Sequence, residues 1–246
     1  MRTTKECRSL EIEIATAPTR TPGRSEDAVL LRELCHRAGN DAATALAALR
    51  VLGSGGIADG DKRSRLLSQA SARLEASAEI HRLLARPIAP SVEAGAWLRA
   101  VGAAVGSAAC EAAGARLVLD VPELRLDGST ARRLVMIAAE LLSNATKYAV
   151  SEDGTLLVSA RLSGGKVALR VADDGPGFDS ASPARGGGLG GGIVADLVAI
   201  GGGEIAVDSG PGGTCVSVEL PVEVSYAPGP ARARGPVGLA SGPSAA

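Results

Sequence analysis

The 246-residue chain predicts an α+β protein: an N-terminal antiparallel helical hairpin followed by a domain in which helices and strands alternate. Two apolar stripes of helical period, separated by Gly53-Ser54-Gly55-Gly56, predict the hairpin. A switch to short β-branched runs punctuated by Gly turns predicts the α/β part. Aromatic residues are almost absent, with Phe178, Trp97, Tyr148 and Tyr226 the whole set. The cores must therefore be built from Leu, Val, Ile and Ala. The expected divisions are a leader and linker over 1–24, a hairpin over 25–88, an α/β domain over 89–225 and a disordered tail over 226–246.

Each element has its own signal. Thr19 to Gly23 reads as linker. Ser25 is a candidate N-cap, with Glu26 and Asp27 in a first turn where acidic groups favour the helix dipole. Leu31, Leu34, Ala38, Ala42, Ala45, Leu49 and Leu52 then recur every three or four residues. A second helix starts near Asp61, carries Leu67, Ala70, Leu74, Ser77, His81 and Leu84, and is closed by Pro87 and Pro90. A lone hairpin cannot bury both stripes, so pairing with a second copy into a four-helix bundle is expected. Further on, helices are expected at Ser91–Ala113, Ser129–Val150 (capped by Asp127 or Ser129) and Ile193–Ile200. Strands are expected at Ala115–Val121, Thr155–Leu162, Lys166–Ala172, Glu204–Asp208 and Thr214–Leu220, with Gly164-Gly165 as a turn.

Lys plus Arg number 26 against 27 Asp plus Glu, which gives no electrostatic case for nucleic-acid binding. Cys7, Cys35, Cys110 and Cys215 form no C-x-x-C pair, so neither a disulfide framework nor a zinc site is expected. Glu6, Glu11 and Glu13 stand where a signal peptide needs its apolar segment, and no apolar run is long enough to span a membrane. A cytoplasmic protein is expected.

Three segments of the second domain carry chemistry. In Glu140-Leu-Leu-Ser-Asn144-Ala-Thr-Lys147-Tyr148, helical spacing sets a carboxylate, a carboxamide, an ammonium and a phenol on one face. A carboxamide oxygen suits magnesium and an ammonium suits phosphate; an amphipathic helix showing its wet side would read the same way. Asp173-Asp174-Gly175-Pro176-Gly177-Phe178 follows a strand, where glycines let a flat base approach carboxylate and backbone, though a surface turn has this composition too. Gly186 to Gly192 runs into a helix N-terminus, a place where backbone N–H groups meet anions, and also the composition of a plain flexible loop.

In order and spacing these segments resemble the ATP-binding (HATPase_c, GHKL-type or Bergerat) domain shared by histidine kinases, gyrase-type ATPases, ninety-kilodalton heat-shock chaperones and mismatch-repair ATPases. The resemblance spans roughly residues 91–222 and implies a two-layer α/β sandwich. Glu140 to Tyr148 is similar to the N box, Asp173 to Gly177 to the G1 box, Gly188-Leu189-Gly190 to the G2 box, and Gly213-Thr214 to the late phosphate-side pair. It implies ATP and Mg2+ as ligands. Asn144 would hold the metal, Lys147 would reach phosphate, Asp173, with Gly175 and Gly177, would receive the adenine amino group, and Tyr148 would lie along adenine or ribose. Thr214 would act on the phosphate side, and Glu140, the water-activating residue of related hydrolases, would play a supporting role. Two departures from the family pattern stand out: Gly191-Gly192 replaces the frequent Leu after the G2 box, and the lid from Phe178 to Gly186 is short.

Of the two histidines, His81 lies on an apolar stripe and reads as a packed residue. His36 lies off its stripe and is expected to point to solvent. Glu33-Leu-Cys-His36-Arg37-Ala-Gly-Asn40 resembles the H box of the HisKA_2 and HWE bacterial sensor kinases, with Arg37 where most other histidine kinases carry an acid. The resemblance implies a histidine kinase in two-component signalling, autophosphorylating His36 and passing the phosphoryl group to an aspartate of a response regulator receiver domain. The chain would be a phosphoprotein and a homodimer. Phosphoryl transfer asks mainly for alignment and charge neutralisation, and Glu33 could orient the imidazole N–H from one turn away. With about 24 residues before the hairpin, no sensor domain is expected. A histidine phosphotransferase that relays phosphate without binding ATP is the chief alternative. A serine-directed switch kinase is a third reading, opposed by the H-box helix.

Overall fold

A computed structural model describes residues 26–54, 59–178 and 189–222. The leader, Ser25, Gly55-Gly56, the lid, Gly188 and the tail lie outside the described residues, as do the side chains of Glu33, Leu189 and Gly190. Helix α1 (Glu26–Gly53) and helix α2 (Gly60–Leu84) form the expected hairpin. Asp59 caps α2, its Oδ1 accepting from the Asp61 and Lys62 amides at 2.9 and 3.3 Å. Strand β1 (Val92–Glu93) comes next, then α3 (Ala94–Ala113), β2 (Arg116–Asp120), β3 (Arg125–Leu126) and α4 (Gly128–Tyr148). The chain continues through β4 (Thr155–Ser163), β5 (Lys166–Asp173), α5 (Leu189–Ile200), β6 (Glu204–Gly210) and β7 (Gly213–Pro221).

The main sheet has the order β2-β4-β5-β7-β6, with β2 parallel to β4 and the other pairs antiparallel. Alternation decides which face is covered. Leu156, Val158 and Ala160 of β4, Val167, Leu169 and Val171 of β5, and Val218 and Leu220 of β7 are buried. They join one core with Leu98 and Val101 of α3, Leu134 to Leu142 of α4, and Ile193, Val194, Leu197 and Val198 of α5. Helices therefore cover one face, giving two layers. Of the two candidate caps, Asp127 caps α4: its Oδ1 accepts from the Ser129 and Thr130 amides at 3.0 and 2.9 Å. Hydrogen bonding outweighs burial there, holding the Asp127 carboxyl below the ordinary carboxylate range.

Several expectations need correction. The Ser91–Ala113 segment is not helical throughout; Val92 and Glu93 form a two-stranded ladder with Leu126 and Arg125. The reason is tertiary: Glu93 Oε1 accepts from the Leu124 amide at 2.8 Å, while Oε2 pairs with Arg99 at 3.3 Å. Helix α5 begins at Leu189 rather than Ile193, so Gly190 to Gly192 belong to its first turn. The stripes expected to pair with a second copy are only partly covered within one chain, where Leu84 is buried and Leu34 packs against the core. Leu31 and Leu49 are 63% and 57% exposed, and Leu67 and Leu74 are exposed too, while Leu30, Ala48, Ala76, Ile80, Leu83 and Leu84 are buried. Packing of α1 on α5 and of α2 on α3 draws in a neighbouring stripe of each helix.

The linker after α2 is fastened to the sandwich. The Arg86 guanidinium lies 5.6 Å from the Trp97 ring centroid, Arg132 donates to the Arg86 carbonyl oxygen, and the Gly128 amide donates to the Ala89 carbonyl oxygen at 2.9 Å. Replacing the fully buried Leu142 by Ala should cost about 2–5 kcal/mol of stability through lost burial and the cavity left behind, measured by urea unfolding. A loss under about 1 kcal/mol would contradict the packing described.

Candidate functional site

The site grows from the end of β5. Asp173 is the last residue of that strand, one residue beyond the expected end, and its parity matches the helix-facing Val167, Leu169 and Val171. Its Oδ1 accepts two backbone hydrogen bonds, from Gly175 and from Thr214, each 3.1 Å. Both bonds use Oδ1, leaving Oδ2 without a partner among the described residues. Burial pushes the Asp173 carboxyl above the ordinary carboxylate range; the bonds from Gly175 and Thr214 pull it back, and the adjacent Asp174 raises it further.

The turn after Asp173 is pressed onto the C-terminal end of α4. A Cβ on Gly175 would lie 2.6 Å from the Ala149 carbonyl oxygen and 2.7 Å from its Cα, so a glycine is required for this approach. Gly177 has φ +64 and faces the Gly210 carbonyl so closely that a Cβ would overlap it. The β6–β7 turn closes the other side: Ser209 and Thr214 are register partners, and their hydroxyls lie 2.9 Å apart. The Phe178 amide donates to Ser209 Oγ at 2.9 Å, and the Thr155 amide donates to Asp174 Oδ1 at 2.8 Å. Asp174 and Ser209 were not singled out from the sequence. The Asp-Asp doublet was a signal for the first; the second depends on register and had none.

The end of α4, the Asp173–Gly177 turn and the Gly213-Thr214 pair therefore meet. On α4, Glu140 and Asn144 are half-buried, while Lys147 and Tyr148 are exposed. Asn144 lies a little over a turn before Ala149. Lys147 does not share all of this company: with Ser143 and Thr146 it lines a cleft of about 400 Å³ shared with Asp41, Arg73 and the alanine face of α3. Glu140, Asn144, Tyr148 and Asp173 are not part of that lining. The third motif is represented by α5, whose described portion packs against α4.

His36 is half-buried rather than directed wholly to solvent, because α1 packs against both α2 and α5. One turn earlier, Arg32 pairs with Asp196 of α5 at 3.4 Å. His81 is half-buried on α2. No helix among the described residues is long and apolar enough to cross a membrane.

Residues 129–224 match the family described as histidine kinase-, DNA gyrase B-, and HSP90-like ATPase. The two-layer sandwich is thus the GHKL-type ATPase fold, and a domain of this class implies ATP binding. Among individual proteins, the chain is similar to the C4-dicarboxylate transport sensor protein DctB of Rhizobium meliloti (strain 1021): 37% identical over 115 residues, covering 42% of this chain and 18% of that protein. The chain thus spans about a fifth of that relative's length. Two solved structures of the Erythrobacter litoralis EL346 blue-light activated histidine kinase share the fold. Its histidine kinase domain gives a TM-score of 0.51 at 24% identity, covering 78% of this chain and 93% of that one. The longer structure gives 0.52 at 24% identity, covering 82% and 64%.

The raised Asp173 carboxyl has a consequence for stability. A carboxyl whose folded pKa exceeds its unfolded value is destabilising when ionised, and this penalty is relieved as pH falls through the folded value towards the unfolded value near about 3.9. Thermal melts of the wild type and Asp173→Asn should therefore converge, or shift in favour of the wild type, as pH falls from 7 into the carboxylate range. A wild-type disadvantage that grows on acidification would reverse the assigned sign.

Proposed function

We propose that this chain is an ATP-dependent protein-histidine kinase that autophosphorylates His36 and hands the phosphoryl group to an aspartate of a response regulator receiver domain. The observation that carries this reading is the convergence at Asp173: one carboxylate oxygen holds the Gly175 and Thr214 amides, while the Gly175 turn abuts the end of the Asn144 helix. The second oxygen is then available to an adenine amino group, while the glycines let the turn close onto Ala149 and Gly210 and fix where that oxygen stands. The H-box resemblance around His36 supports its reading as the acceptor and the HisKA_2/HWE type.

In this reading residues 25–88 are the dimerisation and phosphotransfer unit and residues 89–225 the catalytic unit. Tyr148 lies along the nucleoside, Thr214 and the start of α5 serve the phosphate side, and Lys147 reaches phosphate from the exposed end of α4. Glu33 orients the imidazole, and Glu140 supports the α4 face. Among the described residues no three His, Cys, Asp or Glu side chains gather as a metal site. The Asn144 carboxamide oxygen, a hard ligand suited to magnesium, would hold the ion together with the nucleotide's phosphates. Bound there, it supplies charge neutralisation on the phosphates. The chain's own residues orient the nucleotide and present the imidazole lone pair to the γ-phosphorus, which suffices for a transfer that rests on positioning.

The test is incubation of the purified chain with γ-labelled ATP and magnesium. Acid-labile, base-stable label is expected on the wild type and none on His36→Ala, which should still bind nucleotide. Asp173→Asn should lose labelling and at least about tenfold in ATP affinity, since a hydrogen bond to a charged group contributes about 1.5–3 kcal/mol. Normal labelling of His36→Ala would overturn the acceptor; acid-stable label would point to serine, and a chain that neither labels nor binds nucleotide would be a relay.

The exposed Leu31, Leu46, Leu49, Leu67 and Leu74 of the hairpin support a homodimer in which two hairpins form a four-helix bundle. Leu49→Glu should shift the chain from dimer towards monomer in sedimentation equilibrium; an unchanged dimer would place the interface elsewhere.

A further inference from the structure

His36 Nε2 lies 2.9 Å from Asn40 Nδ2, one helical turn further along α1. An amide nitrogen carries hydrogens and no available lone pair, so it donates and Nε2 accepts. A neutral imidazole that accepts at Nε2 carries its proton on Nδ1. We infer that Asn40 is a further positioning residue of the phosphoacceptor beside Glu33: its carboxamide holds Nε2, favours the Nδ1–H tautomer of His36 and so makes Nε2 the atom that takes the phosphoryl group. This rests on reading His36 as the acceptor.

The neighbourhood favours Asn40 for this task. The residue after the histidine is Arg37, whose guanidinium has no acceptor with which to hold an imidazole N–H. The carboxylate of Asp41 is turned to α2, where it pairs with Arg73 at 3.5 Å. Asn40 itself is exposed, so its amide can swing without disturbing the core. During transfer the Nε2 lone pair forms the N–P bond while the bond from phosphorus to the β,γ-bridging oxygen breaks, and ADP leaves with that electron pair. The Asn40 N–H that held the lone pair turns to a phosphoryl oxygen. The ring, cationic once the N–P bond exists, releases its Nδ1 proton to solvent. The donor that orients the resting ring thus becomes a donor to the phosphorylated one.

Two measurements on the full chain test this, and neither needs ATP. In the first, long-range 1H–15N correlation on 15N-histidine-labelled protein reads the tautomer directly, with His36 assigned by loss of its signals in His36→Ala. The wild type should show the Nδ1–H form. Asn40→Asp keeps the shape but offers only acceptors, so it should invert His36 to the Nε2–H form; Asn40→Leu should give a mixture. In the second, phosphoramidate serves as phosphodonor: its P–N bond breaks, ammonia leaves, and 31P NMR identifies the ring nitrogen phosphorylated. The wild type should be phosphorylated at Nε2, and Asn40→Asp at least about tenfold more slowly there. A wild-type Nε2–H tautomer, or an Asn40→Asp variant with the wild-type tautomer and phosphorylation rate, would overturn the assignment. Phosphorylation by phosphoramidate without labelling from ATP would instead defeat the kinase reading and leave the role of Asn40 standing.

Discussion

The geometry of the ATPase-like domain depends on one carboxylate oxygen. Asp173 Oδ1 accepts from the amide two residues ahead and from the amide at the start of β7, so it ties together the end of β5, the glycine turn and the last strand. Burying a carboxylate costs free energy unless it is hydrogen-bonded; burial pushes the Asp173 carboxyl up, and its two backbone bonds pull it back. A group held in this way is poised to gain from a further donor. The same arrangement that organises the turn thus leaves Oδ2 without a protein partner among the described residues.

Around that oxygen the structure builds by close backbone approach. Gly175 on Ala149 and Gly177 on Gly210 leave no room for side chains, and so bring the α4 end and the β6–β7 turn to the edges of the Asp173 turn. Ser209, by holding both the Phe178 amide and the Thr214 hydroxyl, fastens the end of the glycine turn to the β6–β7 turn. At the other end of the domain, the linker after α2 is clasped by Trp97, Arg132 and Gly128. The helix bearing His36 reaches the sandwich through Arg32 and Asp196 as well as through Leu30, which is part of the common core. An exposed ion pair of this kind contributes about 0–1 kcal/mol, so apolar packing dominates that contact.

Much of this was legible in the residues. Periodicity located α1, α2 and the strands of the main sheet within a few residues, since burial on one face imposes a period that survives in any sequence that folds this way. The cap at Asp127 and the turn at Gly164-Gly165 were readable because they are local. What escaped was non-local. Val92 and Glu93 become a strand only because Arg125 and Leu126 arrive beside them. The first turn of α5 accepts three consecutive glycines although their propensity argues against it, an override that packing of α5 on α4 supplies. The buried stripe of α1 passes through Leu30 and Ala48 rather than Leu31 and Leu49, because a helix with apolar residues on more than one side leaves the choice of face to its neighbours.

The amino-acid sequence by itself determined the order of the main elements, the α+β division, and the candidate residues: an Asn on a helix, an Asp followed by glycines, and a histidine one turn from an asparagine. These follow from local spacing, which is written in the chain. The tertiary structure alone decided that Asp173 spends one oxygen on Gly175 and Thr214, that Ser209 joins the turn, that Lys147 shares a cleft with the hairpin, and that the Asn40 amide meets His36 through Nε2. Each of these depends on distances between atoms far apart in sequence or on a rotamer, and residue spacing constrains neither.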